Sequence, residues 1–227
     1  MDPAVERLTE TKIFEAARTL ANAFQNDPLE MYVFPDPNER ARRSPAQLCV
    51  LVREGYLHGE VFTTAGLTGV SVWMPPGRVT TADQAAQSGF RQLPQLMGDE
   101  AFMRFGRVLD YLSDAHSRGI PEEHWYLGVV GVRPELQGRG HGHALLRPIM
   151  ARADAEGLPI CLDTAQPRVK SFYERLGFRP VLETVDPTSG LRFWTYQRDP
   201  GPKDDKFEIA RLVGAVRDAP WKPQGHR

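Results

Sequence analysis

The stretch "WYLGVVGVRPELQGRGHGHALLRPIM", Trp125 to Met150, holds the change of pattern that decides the fold. Its first part, through Val132, is the β-branched, apolar run of a buried strand. Pro134, Gln137 and the glycines at 138, 140 and 142 follow, and an apolar-periodic helix pattern begins at once. A strand that passes into a helix through three glycines leaves bare backbone at the helix N-terminus. The first N–H groups there have no helical partner, and the helix dipole adds partial positive charge. Glycines let a ligand approach that backbone without meeting Cβ atoms, so the turn suits a phosphate or pyrophosphate, with Arg139 as a neighbouring cation.

Upstream, Ile13, Ala16, Ala17, Leu20 and Phe24 recur at helical spacing, with Thr9 or Thr11 to cap the start. Pro28, Pro35 and Pro37 break that helix, and a second one is expected over Pro45 to Tyr56. Val61 to Thr64 and Val70 to Met74 read as a hairpin closed by Pro75-Pro76-Gly77. Residues 80–117 read as helix in two pieces broken around Pro94 to Gly98, the second burying Phe102, Phe105, Val108, Leu109 and Leu112. Downstream come a strand from His124 to Val132, a helix from Gly138 to about Ala155, a short strand "LPICLDT", and a helix stopped by Gly177. A hairpin ends the pattern.

Strand–helix–strand–helix among hairpins implies one α/β domain with a mixed sheet, over residues 1–205, with 80–117 a helical insertion. Residues 206–227 hold one more amphipathic helix, free to pack on the core or on a second subunit of a homodimer.

The composition is that of an ordinary globular chain, 41% hydrophobic and 25% charged. Lys and Arg number 28 against 29 Asp and Glu, so no global basic field draws nucleic acid or an acidic membrane. No run approaches the ~20 apolar residues of a membrane span, and the N-terminus has no signal-peptide pattern. Cys49 and Cys161 stand far apart without metal spacing, which suits free thiols in a reducing cytoplasm.

Several phosphate cradles share the glycine logic, and spacing discriminates among them. The dinucleotide pattern fails, because His143 stands where its third glycine belongs; a P-loop fails for want of Gly-Lys-Ser/Thr. What fits is Gln137-x-x-Gly140-x-Gly142, preceded by Val132-x-Pro134. About thirty residues on stands "SFYERLGF", Ser171 to Phe178. Together the two motifs resemble the GNAT superfamily, the Gcn5-related N-acetyltransferases. The resemblance is strongest from His124 to Val181. It is closer to an actinobacterial branch that includes puromycin N-acetyltransferase, through "HWYLGVVGV", "FYERLGF" and the "VSVWMPPG" hairpin.

The resemblance implies a mixed, mostly antiparallel sheet whose fourth and fifth strands splay to admit acetyl-CoA. It assigns the pantetheine amides to the backbone of Val130, Gly131 and Val132, and the pyrophosphate to the turn of Gln137, Gly138, Arg139, Gly140, His141, Gly142 and His143. Gln166 falls where many relatives place a cofactor-contacting Asn. Tyr173 takes the place of the acid that protonates the leaving thiolate, in direct transfer of acetyl to a neutral amine. The base is open: relatives often carry Glu or His at the position held here by Tyr126, strand alternation sets His124 on the same face, Glu123 is a further candidate, and a water relay can serve instead. His141 and His143 lack a Cys or carboxylate partner at ligand spacing, so no metal is expected.

The acceptor expected is a small-molecule amine held by the loop with Tyr32 and Phe34, together with Trp125; Trp73 and Trp194 are expected in the core. Asp27, Glu30 and Asp36 can steer a cationic amine or cap helices. A protein N-acetyltransferase and a non-catalytic acyl-CoA sensor are the competing readings.

Overall fold

The computed structural model describes residues 3–77, 80–116, 120–121 and 123–201, and the C-terminal helix expected over 206–227 lies outside them. The strands are β1 (Val5–Arg7), β2 (Glu60–Thr64), β3 (Gly69–Met74), β4 (Trp125–Val132), β5 (Ile160–Thr164), β6 (Arg179–Val185) and β7 (Arg192–Arg198). They form one seven-stranded sheet in the order β1-β2-β3-β4-β5-β7-β6. Among the described residues only the β4–β5 pairing is parallel. β1 was not anticipated, because the edge strand "VER" is short and mostly exposed and carries no alternating signal.

The helices are α1 (Ile13–Ala23), α2 (Pro28–Val33), α3 (Pro37–His58), α4 (Ala82–Ser88), α5 (Leu93–Met97), α6 (Asp99–His116), α7 (His141–Glu156) and α8 (Lys170–Arg175). Two Asp-Pro pairs that sequence reasoning took as breaks also start helices. Asp27 accepts from the Leu29 N–H at 2.9 Å, and Asp36 accepts from Asn38 and Glu39 at 2.7 and 2.9 Å, each with Pro at the first helical position. α3 therefore begins at Pro37, eight residues before the expected Pro45, which lies inside it. Thr9 and Thr11 do not cap α1; their hydroxyls face each other at 3.4 Å. Residues 80–116 form three helices, because Gly89 (φ 96°) and Gly98 (φ 84°) each end one, while Pro94 sits harmlessly in the first turn of α5. On α6, Phe105 and Val108 are buried as expected, but Leu109 is 40% exposed.

Each face of the sheet is covered. α7 lies on one, where Trp73, Trp125, Leu127, Leu145, Leu146, Ile149 and Tyr196 make the core. α1 and α3 lie on the other, against Val61, Val70 and Val72. Each large apolar side chain withdrawn from water contributes roughly 1.5–3 kcal/mol, so these two layers dominate the stability. Trp73 and Trp194 belong to the first layer, as the sequence suggests.

Two irregularities of β4 position the site. Trp73 pairs with Leu127 and Val72 with Val129, which leaves Gly128 as a bulge. The bulge reverses the alternation: Trp125 and Leu127 face α7 before it, and Val130 and Val132 after it. The second is the brevity of the β4–β5 contact, three rungs from Trp125–Ile160 to Leu127–Leu162. Beyond them the strands part.

Candidate active site

From Gly128 to Val132, β4 has β3 on one side and no strand on the other. Gly128 is exposed and Val129 and Val130 are half-buried, although the strand is central to the sheet. This opening is the splay expected between the fourth and fifth strands. Gly131 has a packing reason as well: a Cβ there would stand 2.9 Å from Leu20 Cδ2 and 3.0 Å from Ala23 Cβ, so α1 approaches because the side chain is absent.

At the end of the opening the chain turns into α7. Gly138 (φ 74°) and Gly140 (φ 86°) both hold left-handed backbone, which side chains resist by about 1–2 kcal/mol. The turn from Gln137 to Gly140 is exposed, and nothing lies within 4 Å of where a Gly138 Cβ would be. Gly142 serves packing, since a Cβ would meet Phe172 at 3.2 Å. Gln137 turns inward, its Nε2 donating to the Val132 carbonyl at 3.0 Å, which fixes the turn to the strand end. The N–H groups of the first α7 turn thus face open space, a fit for a pyrophosphate. His141 is tethered through Nδ1 to Thr68 Oγ1 at 3.2 Å, while His143 is exposed; among the described residues no three metal-ligating side chains converge.

Tyr173 rises from α8 beside the splay. Its ring is packed by Phe172, Phe178 and Tyr196, with centroids 5.1, 5.7 and 5.9 Å away. Among the described residues its hydroxyl has no hydrogen-bond partner. Burial pushes the phenol well above its ordinary value, and the Asp27 charge adds to this. Such a group keeps its proton at neutral pH, so its hydroxyl stands in the donor form. Gln166 ties this end together, its Nε2 donating to the Asn26 carbonyl and its Oε1 accepting from Arg168 N–H, both at 3.4 Å.

On the face of β4 and β5 turned away from α7 lies a cluster that sequence reasoning only half found. Tyr126 donates to Asp163 Oδ2 at 3.1 Å, and His116 Nδ1 stands 3.1 Å from that same oxygen. Thr195 donates to Asp163 Oδ1 at 2.6 Å. His124, just before β4, stacks on His116 with centroids 6.1 Å apart, and its Nδ1 lies 2.6 Å from the Pro121 carbonyl. Burial lowers the His124 imidazole and raises the Tyr126 phenol well above normal, Asp163 adding to the latter. Tyr126 is therefore no base by itself, and His124 is neutral at pH 7. Asp163 and His116 were missed. A carboxylate inside the apolar run "ICLDT" was the signal for the first; the last residue of an amphipathic helix gave none for the second.

Two of the three aromatic residues expected around an acceptor, Trp125 and Phe34, are buried, while Tyr32 also packs beside Ala165 and Phe193. Trp125 is 1% exposed and lies in the α7-side core, its Nε1 donating to Glu156 at 2.7 Å, because alternation before the bulge turns it away from Tyr126. Phe34 is 2% exposed in the cluster between α3, α5 and α6, and Tyr32 is half-buried beside it. A surface hollow bordered by Phe34, Asp36, Glu39, Asp99, Glu100 and Arg104 draws no residue from β4, β5, α7 or α8, so it is not the splay.

An uncharacterized N-acetyltransferase of Schizosaccharomyces pombe is 31% identical over 182 residues, 77% of this chain and 74% of that one. The model of the acetyltransferase (GNAT) domain matches residues 101–180. The chain belongs to the GNAT acetyltransferase family. It is thereby an acetyltransferase by family, and acetyl-CoA is the donor that GNAT enzymes use. Solved structures agree on the fold. A Corynebacterium glutamicum protein described as histone acetyltransferase HPA2 and related acetyltransferase superposes with a TM-score of 0.65 at 23% identity, over 90% of this chain and all of that one. The Drosophila melanogaster polyamine N-acetyltransferase, which forms N-acetylagmatine, gives 0.56 at 18% identity over 87% of this chain and all of that one. Arylalkylamine N-acetyltransferase 2 from Aedes aegypti gives 0.60 at 10% identity over 88% of this chain and all of that one. The GNAT match begins within α6 and takes in β4, α7, β5 and α8, the elements of the candidate site.

Proposed function

We propose that this GNAT protein transfers the acetyl group of acetyl-CoA to the amine of a small molecule, by direct attack within a ternary complex. The observation that carries the reading is the parting of β4 from β5 beside a glycine-opened helix start, with Tyr173 of α8 near enough to Tyr126 of β4 to act on its phenol. Acetyl-CoA supplies a thioester, whose acyl carbon accepts the amine and whose sulfur leaves. The backbone of Val130, Gly131 and Val132 would pair with the pantetheine arm as a neighbouring strand does. An N–H near Val130 would face the carbonyl oxygen as charge gathers on it. The first-turn amides of α7, with Arg139, would hold the pyrophosphate, and Gln166 borders the arm. Tyr173 gives its phenolic proton to the departing sulfur.

Preference for a small acceptor rests on the helical insertion: α6 brings His116 against the β4 cluster, which closes that side of the site. Asp27, close enough to Tyr173 to raise its phenol, is a negative charge suited to a cationic amine. The solved enzymes that act on agmatine and arylalkylamines favour the same class, and kinship with the puromycin-acetylating branch would extend it. We take residues 1–205 as the catalytic unit. Its two free cysteines suit the cytoplasm.

The test is calorimetric titration of acetyl-CoA into wild type and Tyr173→Phe, with free thiol followed over an amine panel. Binding by both proteins, with thiol release lowered roughly 100-fold or more in the variant, is expected. Transfer only to peptides would favour a protein acetyltransferase; tight binding without release would leave a sensor. Absence of binding to wild type would overturn the reading.

A further inference from the structure

We propose that Tyr126, Asp163 and His116 form a proton-accepting unit that deprotonates the acceptor amine. This rests on the acetyl transfer proposed above and supplies the base that its sequence leaves open. The groups come from separate elements: Tyr126 from β4, Asp163 from β5, and His116 from the last residue of the inserted α6. Around them stand His124 just before β4, Cys161 two residues before Asp163, Thr195 on β7 and, near enough to act on Tyr126, Tyr173 on α8. Among the described residues the basic side chain against Asp163 is an imidazole, that of His116 at 3.1 Å.

Three observations set this cluster apart from ordinary core polarity. Two proton carriers, the Tyr126 hydroxyl and the His116 ring, converge on one oxygen, Asp163 Oδ2, each at 3.1 Å. The other Asp163 oxygen is held by Thr195, so the carboxylate cannot rotate away. His116 Nε2 is buried without a hydrogen-bond partner, a state that a purely structural histidine avoids because an unmet polar atom costs free energy. An Asp–His pair of this kind holds the ring and stabilises the imidazolium as a proton arrives.

The transfer balances without a further reagent. The amine's proton passes to Tyr126 Oη as Tyr126 gives its own to Asp163 Oδ2, so the Asp163–His116 pair ends one proton richer. Only N–H and O–H bonds change. The neutral amine then attacks the acyl carbon, and the thiolate takes its proton from Tyr173. Once the product has left, the pair gives the proton up to water that enters the emptied acceptor site. Two phenols thus hold opposite duties: one hydroxyl is backed by a carboxylate and passes protons inward, the other has no such partner and gives its proton away.

The experiment compares wild type with His116→Gln, Asp163→Asn and Tyr126→Phe, using acetyl-CoA with agmatine, 2-phenylethylamine and hydroxylamine as probes. Agmatine and phenylethylamine are protonated at neutral pH, whereas hydroxylamine is largely not. Calorimetric affinity for acetyl-CoA is expected to stay within about threefold. The kcat with the protonated amines should fall about 100-fold, its rising pH limb moving up toward the amine's own pKa. The rate with hydroxylamine should fall far less, and added imidazole should restore part of the rate to His116→Gly. If the variants bind acetyl-CoA and keep the wild-type kcat and pH limb, the unit is not the base, while the acetyltransferase reading stands. If wild type binds acetyl-CoA but releases no thiol with these probes or any amine of the panel, both readings fall. Should Asp163→Asn not fold, Tyr126→Phe, which removes one oxygen and keeps the ring, decides.

Discussion

Glu30 is a carboxylic acid shut inside the packing between α2 and α3, 5% exposed, with the Ser44 hydroxyl 2.6 Å from its Oε2. Burial pushes it from 4.5 to about 7; the Ser44 bond works against this and Asp27 adds to it. The folded protein therefore holds this proton more tightly than the unfolded chain does. The resulting stabilisation is complete below the unfolded value and is lost as pH rises toward 7, a swing of about 3 kcal/mol. Urea melts of wild type at pH 5 and pH 8 should differ in this direction, and Glu30→Gln should flatten the difference. Equal slopes in both proteins would mean that Glu30 is ionised when folded. Tyr173 and Tyr126 show the complementary lesson: two residues of one type, each raised by burial, differ in surroundings, because Asp163 stands against the hydroxyl of Tyr126 alone.

Elements put these residues where they act, and glycine governs two of the junctions. Gly140→Ala would place a side chain in left-handed backbone at the N-cap of α7. A loss of about 1–2 kcal/mol in stability and weaker acetyl-CoA binding are expected together, by chemical denaturation and calorimetry. Gly131→Ala acts from the other side, driving Leu20 and Ala23 of α1 from β4; about 1–3 kcal/mol should be lost in the same melts. The sequence made both glycines visible but not their separate reasons. The turn of Gly138 and Gly140 was legible because its left-handed backbone excludes most residues. Gly131 looked like any strand glycine, since its reason is a helix more than a hundred positions upstream. Helix interiors were legible from their period, whereas the start of α3 was not, because Asp36-Pro37 breaks one helix and caps the next with the same two residues. The bulge at Gly128, which sends Trp125 into the core and Tyr126 into the site, depends on register with β3 and leaves no local mark. His116 and Asp163 meet only because the inserted helix ends beside β5.

The whole molecule is two antiparallel half-sheets, β1 to β4 and β5 to β7, tied on one face by α7. One bond across this divide is well placed. Arg198, ending β7, donates twice to Asp154 of α7 at 2.7 and 2.9 Å, and the Gly201 N–H adds a third bond at 2.6 Å. Burial alone would raise the Asp154 carboxyl, yet these bonds hold it below its usual range, so their contribution is present near neutrality and fades in acid. Asp154→Ala should lower stability by roughly 2 kcal/mol at pH 7 and by less at pH 3, measured by denaturant titration.

With three rungs between β4 and β5, a donor bound in the gap would make the protein a gauge of its own feedstock. A donor lying along Gly128 to Val132 would splint the two halves, and at a hundredfold excess over its dissociation constant it would add about 2.7 kcal/mol. For a chain of this size that is a rise of roughly 5–10 °C in melting temperature. In a starved cell the same chain, with nothing bridging its seam, would open more often, and amide exchange along β4 would record the shortage before any product did.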